Sequence, residues 1–311
     1  MWPKIDYMYM FTKLLCAALA VSLAVPSAGG RDYIRWVDCA ADEAAMRSAL
    51  FLCRECCDRG QRVAFSDVIA YVAARNGNRF GRGDAKIFAD LSDKLRAGGT
   101  VDEAAGDSKY YRYHKEAYAA VFGPMVGPVE ADGRTTIGIK GRFPLAAGYW
   151  YSHYDDFGNA RSYGFRRKHL GHDIMGSVGT PVVAVEGGTV TEIGWNRYGG
   201  WRIGIRSDDG LRYWYYAHLR RGNPYARGIC RGAKVEAGDH IGYLGQTGYS
   251  AKENTNLKTG APHLHIGLQL IFDPSQEKGD KEIWVDLYGI TRFLSGSRVR
   301  LSRGLPERPA L

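Results

Sequence analysis

The chain has 311 residues, with 42 Lys and Arg against 33 Asp and Glu, a formal charge of +9, and 45% hydrophobic and 24% charged residues. This balance excludes wholesale disorder, which needs low hydrophobicity and high charge. It also excludes a polytopic membrane protein, because one stretch alone approaches the ~17–25 apolar residues of a span. Forty Gly and twenty Tyr point to many turns and a β-rich part, and the length suits two domains or one plus a tail. A positive surface attracts any polyanion, whether nucleic acid, anionic lipid or a phosphate-bearing polymer, and does not choose among them.

At the start, Lys4 and Lys13 precede an apolar run at 14–25, followed by Pro26, Ser27 and Ala28. A basic region, a short apolar run and small residues read as a secretory signal peptide over 1–28, with an uncleaved membrane anchor as the competing reading. Leu15, where a small residue would be expected before Cys16, argues against a lipoprotein. Residues 1–28 hold Lys4, Lys13 and Asp6, so the charge without them is +8. Cys53, Cys56 and Cys57 share one helix face by spacing. They read as a metal site or as disulfides with Cys39, or else as a buried small apolar face.

Residues 31–123 read as a small all-α domain. A helix is expected over 40–57, ended by Asp58-Arg59-Gly60. A second follows over 67–75, capped by Ser66 and stopped by Asn76-Gly77. A third is capped by Asp84 and runs to 97, and a fourth is capped by Ser108 and runs over 109–122. After Pro124 the apolar pattern shifts to period 2. Strands are expected at 181–186, 189–195, 201–206, 211–219, 240–246 and 262–270, with a closing helix at 286–294. The expected class is α+β: a helical domain, a β-rich antiparallel domain over 124–295, and a basic disordered tail over 296–311.

Four of the eight histidines, His169, His172, His263 and His265, stand in telling places. His263 and His265 stand two apart on an expected strand and project to one face. His169 and Asp173 flank Gly171, so a tight turn can bring them together. Two imidazoles and a carboxylate suit Zn²⁺, and three protein ligands leave a fourth position for water, as catalytic sites do. Zinc lowers the pKa of that water to about 7.

His169-x-Gly171-x-Asp173, Gly179-Thr180-Pro181-Val182, Tyr216-Ala217-His218-Leu219 and His263-Leu264-His265 together resemble the lysostaphin/LytM-type zinc metallopeptidases. The likeness spans about 140–270 and includes the Val235-x-Ala237-Gly238-Asp239 segment. A looser one links 33–113 to the helical part of secreted clostridial-type members. The resemblance implies one zinc per chain held by His169, Asp173 and His265. It implies that His218 and His263 orient or deprotonate the water and steady the oxyanion. Tyr163 could be an oxyanion donor, as in some relatives, or simply packing. Two features depart from the family: His172, at a position commonly apolar, and the long stretch 249–260 before the H-x-H.

The implied function is a secreted zinc metalloendopeptidase that hydrolyses peptide cross-links of bacterial peptidoglycan. The alternative is a catalytically silent cell-wall binding or scaffold protein of the same fold. The expected partners are peptidoglycan peptide and anionic cell-wall polymers. No nucleic acid is expected, and contact with a membrane only through an uncleaved N-terminal segment. A D-alanyl-D-alanine dipeptidase is disfavoured, because its wider His–Asp spacing and its extra Glu are missing.

Overall fold

A computed structural model describes residues 33–162, 166–250, 255–256 and 261–301. The signal segment 1–28, Tyr163 and residues 302–311 therefore lie outside the described residues. Among those described, no helix is long and apolar enough to cross a membrane. The described residues from Ile34 onward belong to one compact unit.

Five helices come first: α1 Glu43–Asp58, α2 Phe65–Asn76, α3 Asp84–Arg96, α4 Val101–Ala105 and α5 Lys109–Phe122. Asp42 caps α1 by accepting from the Ala45 amide, and Ser108 caps α5 by accepting from Tyr111. Gly77, at φ 67°, ends α2 in the left-handed conformation that favours glycine. Two expected caps act differently. Ser66 lies inside α2, which starts behind Ala64 without a side-chain cap. Asp84 is the first residue of α3, and its carboxylate accepts from Asn76 Nδ2 and the Gly81 amide, tying the preceding loop. The short α4, unanticipated, rests on a capping box between Thr100 and Glu103.

Cys53 and Cys56 point from α1 into the core, as the apolar-face reading supposed, whereas Cys57 is half-buried; Cys39 is buried in the same core. Burial pushes the Cys53 thiol up to about 12, so it stays protonated and inert.

The hairpin β1 Val126–Ala131 and β2 Arg134–Ile139 follows the helices. Then come β3 Tyr151–His153, β4 Ala160–Ser162, β5 Arg166–Lys168, β6 His172–Gly176, β7 Pro181–Val183, β8 Gly188–Asn196, β9 Gly200–Arg206 and β10 Arg212–Leu219. The remainder are β11 Lys234–Val235, β12 His240–Tyr243, β13 Tyr249–Ser250, β14 Thr255–Asn256, β15 His263–Leu270, β16 Ile283–Val285 and the helix α6 Tyr288–Leu294. The main sheet runs β11-β8-β9-β10-β15-β6-β3, with β16 on β15, and its pairs are antiparallel. The fold is α+β.

The helices share their core with the sheet. Phe65 of α2 meets both Phe122 of α5 and Phe293 of α6, at centroid distances of 5.3 and 5.7 Å. A polar tie lies beside this apolar seam. Arg212, 3% exposed, donates to both oxygens of Glu186 and to the Ala120 carbonyl near the end of α5. The basic tail begins as ordered chain: Arg298 donates to the Ala146 and Tyr149 carbonyls and sits 4.8 Å from the Tyr151 ring centre. Three carbonyl acceptors and an aromatic face hold Arg298, and the described part of the tail ends at Leu301.

Candidate metal centre

The centre forms where β6 and β15 pair. Asp173 is directly opposite His265 in their register, and His169 enters from the loop before β6. Residues facing each other across antiparallel strands share a face, so pairing alone brings a carboxylate to an imidazole. The three donor atoms converge. His169 Nε2 is 2.9 Å from His265 Nδ1 and 3.1 Å from Asp173 Oδ1, and His265 Nδ1 is 3.0 Å from Asp173 Oδ1. Ligands about 2.0–2.2 Å from a tetrahedral Zn²⁺ lie roughly 3.3 Å apart, so the residues fit such an ion with small adjustment. Among the described residues this is the group placed to hold a metal.

Gly171 makes the convergence possible. A Cβ there would stand 2.5 Å from His265 Cε1 and 2.8 Å from the Ile266 carbonyl oxygen. The glycine is needed for room beside the His265 ring, more than for the turn that its position suggested.

The charges are tightly coupled. Burial opposes a charge on His169, but hydrogen bonds to Asp156 and Asp173 outweigh it and lift its pKa to about 9. Burial also opposes ionisation of Asp173, yet hydrogen bonds with His169 and His265 hold it well below the usual carboxylate range. Burial pushes His265 down, against the pull of Asp173.

His218 and His263 stand beside this group, with ring centroids 4.6 Å apart. His263 Nε2 is 4.0 Å from Asp173 Oδ1. His218 reaches the site through an irregularity. Ala217 is paired with His265, so a regular strand would turn the next side chain to the opposite face. The register with β9 slips between Tyr216 and Leu219, and His218 takes φ 59°, a left-handed backbone unusual for a non-glycine residue. Its Nδ1 lies 2.6 Å from the Thr247 carbonyl oxygen, which can only accept, so the proton sits on Nδ1 and Nε2 keeps its lone pair. His263 Nδ1 is bound in the same way, 2.8 Å from the Ala261 carbonyl oxygen. Burial, with His263 and His265 nearby, pushes His218 down to about 3, so it is neutral at physiological pH.

Residues 167–277 match Peptidase family M23. That stretch is similar to an M23 domain and covers about a third of the chain. Over 185 residues it is 36% identical to the L-Ala–D-Glu endopeptidase of Bacillus subtilis (strain 168), covering 60% of this chain and 55% of that one. Over 99 residues it is 40% identical to lysostaphin of Staphylococcus simulans, covering 32% of this chain and 17% of the relative. The chain thus spans about half the length of the first relative and less of the second. In structure it resembles a chain from Ruminococcus gnavus ATCC 29149 assigned as a LytM glycyl-glycine endopeptidase. That likeness has a TM-score of 0.55 and 27% identity, over 85% of this chain and 92% of the other, so it takes in the helices as well as the sheet.

The centre also draws on residues that sequence spacing had not marked. Asp156, 2% exposed, accepts from His169 Nδ1 through Oδ2 at 3.0 Å, leaving His169 Nε2 to face its partners. No fixed spacing signals it, since the bend before β4 delivers it. Thr247 and Ala261 act through main-chain oxygens, which carry no sequence signature. Two histidines read as having no partner pattern or an uncertain place also find one here: His172 is fully buried, and its Nε2 is 2.8 Å from His153 Nδ1.

Proposed function

We propose that the chain is a zinc endopeptidase acting on the peptides of bacterial peptidoglycan, with one Zn²⁺ held by His169, Asp173 and His265. The observation that carries this is the mutual approach of their three donor atoms to 3.1 Å or less, beside two histidines each oriented by a carbonyl oxygen. When bound, zinc polarises a scissile carbonyl and brings the pKa of a water towards about 7.

The chain's own residues do the rest. Asp156 holds the His169 ring. Neutral His218 accepts the proton of the attacking water at Nε2 and returns it to the leaving amine. His263, its Nδ1 held by the Ala261 carbonyl oxygen, steadies the developing negative oxygen in this reading. Tyr163, as a further donor to that oxygen, belongs to the same reading.

The names of the relatives supply two candidate bonds, L-Ala–D-Glu and Gly–Gly, and the longer match favours the first. Export through residues 1–28 places the enzyme at the cell wall, where a net positive chain gathers at anionic polymers. Purified protein should hold one zinc by elemental analysis and cleave muropeptides, and His265→Ala should lose both. Loss of zinc with activity retained would overturn the assignment.

A further inference from the structure

His172 lies one residue from a proposed ligand, opposite Ile266 where Asp173 is opposite His265, so its side chain takes the other face of β6 and enters the protein. It is 0% exposed. On one side its Nε2 sits 2.8 Å from His153 Nδ1, and His153 Nδ1 is also 3.3 Å from Thr291 Oγ1 of α6. On the other side its Nδ1 lies 3.5 Å from Asp156 Oδ1, a long contact, and Nδ1 has no hydrogen-bond partner at normal distance among the described residues. A buried polar atom without a partner is costly, and the group it faces is the carboxylate that holds His169.

We infer that His172, backed by His153, is a positioning residue for the metal centre, acting through Asp156. This rests on the zinc site proposed above. A carboxylate only accepts, so His172 must offer it Nδ1–H. A neutral imidazole has one N–H, so His172 Nε2 then accepts from His153 Nδ1–H. The opposite tautomer would set a lone pair against a carboxylate. The Thr291 hydroxyl donates to the Tyr288 carbonyl at 3.0 Å, which leaves its oxygen able to accept from His153 as well.

Every link thus runs one way: His153 to His172, His172 to one oxygen of Asp156, His169 to the other. The chain fixes the Asp156 carboxylate plane, and with it the ring of His169 and the lone pair on Nε2. It also reaches α6, which Arg292 joins to Glu43 of α1 at 2.9 Å. The helical part is thereby mechanically connected to the metal centre.

The test measures zinc affinity by competition with a chromophoric chelator, together with the metal-free melting temperature. His172→Leu should weaken zinc about 10–100-fold. His172→Asn, which restores a donor near the Nδ1 position, should regain most of the affinity, at a melting temperature similar to that of the Leu variant. Wild-type affinity in the Leu variant, or equal losses in Leu and Asn, would overturn the inference. Should a variant fail to fold, ¹⁵N-histidine NMR of the wild-type metal-free protein decides. A proton on His172 Nδ1 supports the inference, and a proton on Nε2 defeats it. Both readouts are independent of which bond is cut, so absence of hydrolysis would count against the proposed function alone.

Discussion

Gly171 and His218 show how little space and how much strain single residues contribute to this centre. At Gly171 an added methyl group meets the His265 ring and the Ile266 carbonyl, neither of which can withdraw without moving β15. Gly171→Ala should therefore displace a ligand and lower kcat/KM by about 100-fold, the scale of an ångström-sized misplacement, with zinc content falling in parallel. His218→Ala should separate the two effects: zinc retained, kcat down about 10²–10⁴-fold. In the metal-free protein, His169 with a pKa of about 9 still carries its proton at pH 7.5. Zinc binding at that pH should release about one proton, read by calorimetry in buffers of different ionisation enthalpy. Much of this was legible. Two residues on alternate strand positions, and two flanking a glycine, state their convergence by spacing. Asp156 was not, because its role depends on where a bend carries it, and the re-aiming of His218 depends on a slip in register.

Among elements, the contact between α5 and the sheet turns on one buried ion pair. Glu186 receives Arg212 on both oxygens and Trp214 Nε1 at 2.8 Å, while Arg212 also serves the Ala120 carbonyl. Arg212→Met leaves a buried carboxylate and a helix carbonyl without their donor, and should cost about 3–5 kcal/mol in denaturant unfolding. Adding Glu186→Gln, which keeps an oxygen for Trp214, should recover part of that loss. Recovery of none would point to packing instead of charge. The long strands β8, β9, β10 and β15 of this sheet were readable from alternation and turn residues, whereas β3, β6 and β16, of three to five residues, were too short to show a period. The hairpin of β1 and β2 was not, since its outward face and Gly and Pro content blur the period. Ser66 and Asp84 misled as caps because both found partners elsewhere.

At the scale of the whole molecule, the helices and the sheet share one apolar core through Phe65, Phe122 and Phe293. Residues 124–311 alone would expose Phe293 and strip Arg212 of a partner, so this fragment should melt well below the full chain. Stability should also follow pH in a defined way. Burial, with His172 and Arg292 nearby, pushes His153 down to about 4, and burial lowers His114. Below about 6.5 the unfolded chain binds protons that these folded histidines refuse, so stability falls as pH drops from 6.5 towards 4. His169 acts oppositely in the metal-free chain. Its raised pKa gives stability that is full below about 6.5 and is lost as pH rises through 9. Urea midpoints of the metal-free protein should therefore peak near pH 6.5, and zinc should remove the alkaline decline.

The class and the order of helices before sheet were plain in composition and periodicity. The sharing of one core was not, because contacts between α2 and α6 join residues more than two hundred positions apart. The central claim is that the His169, Asp173 and His265 cluster serves hydrolysis of a peptidoglycan peptide. Mass spectrometry of muropeptides, released by the zinc-loaded protein from sacculi of different peptide composition, tests it most directly. The expected result is a new amine and a new carboxylate at one defined peptide bond, absent with His218→Ala. One bound zinc with no new termini from any sacculus would contradict it.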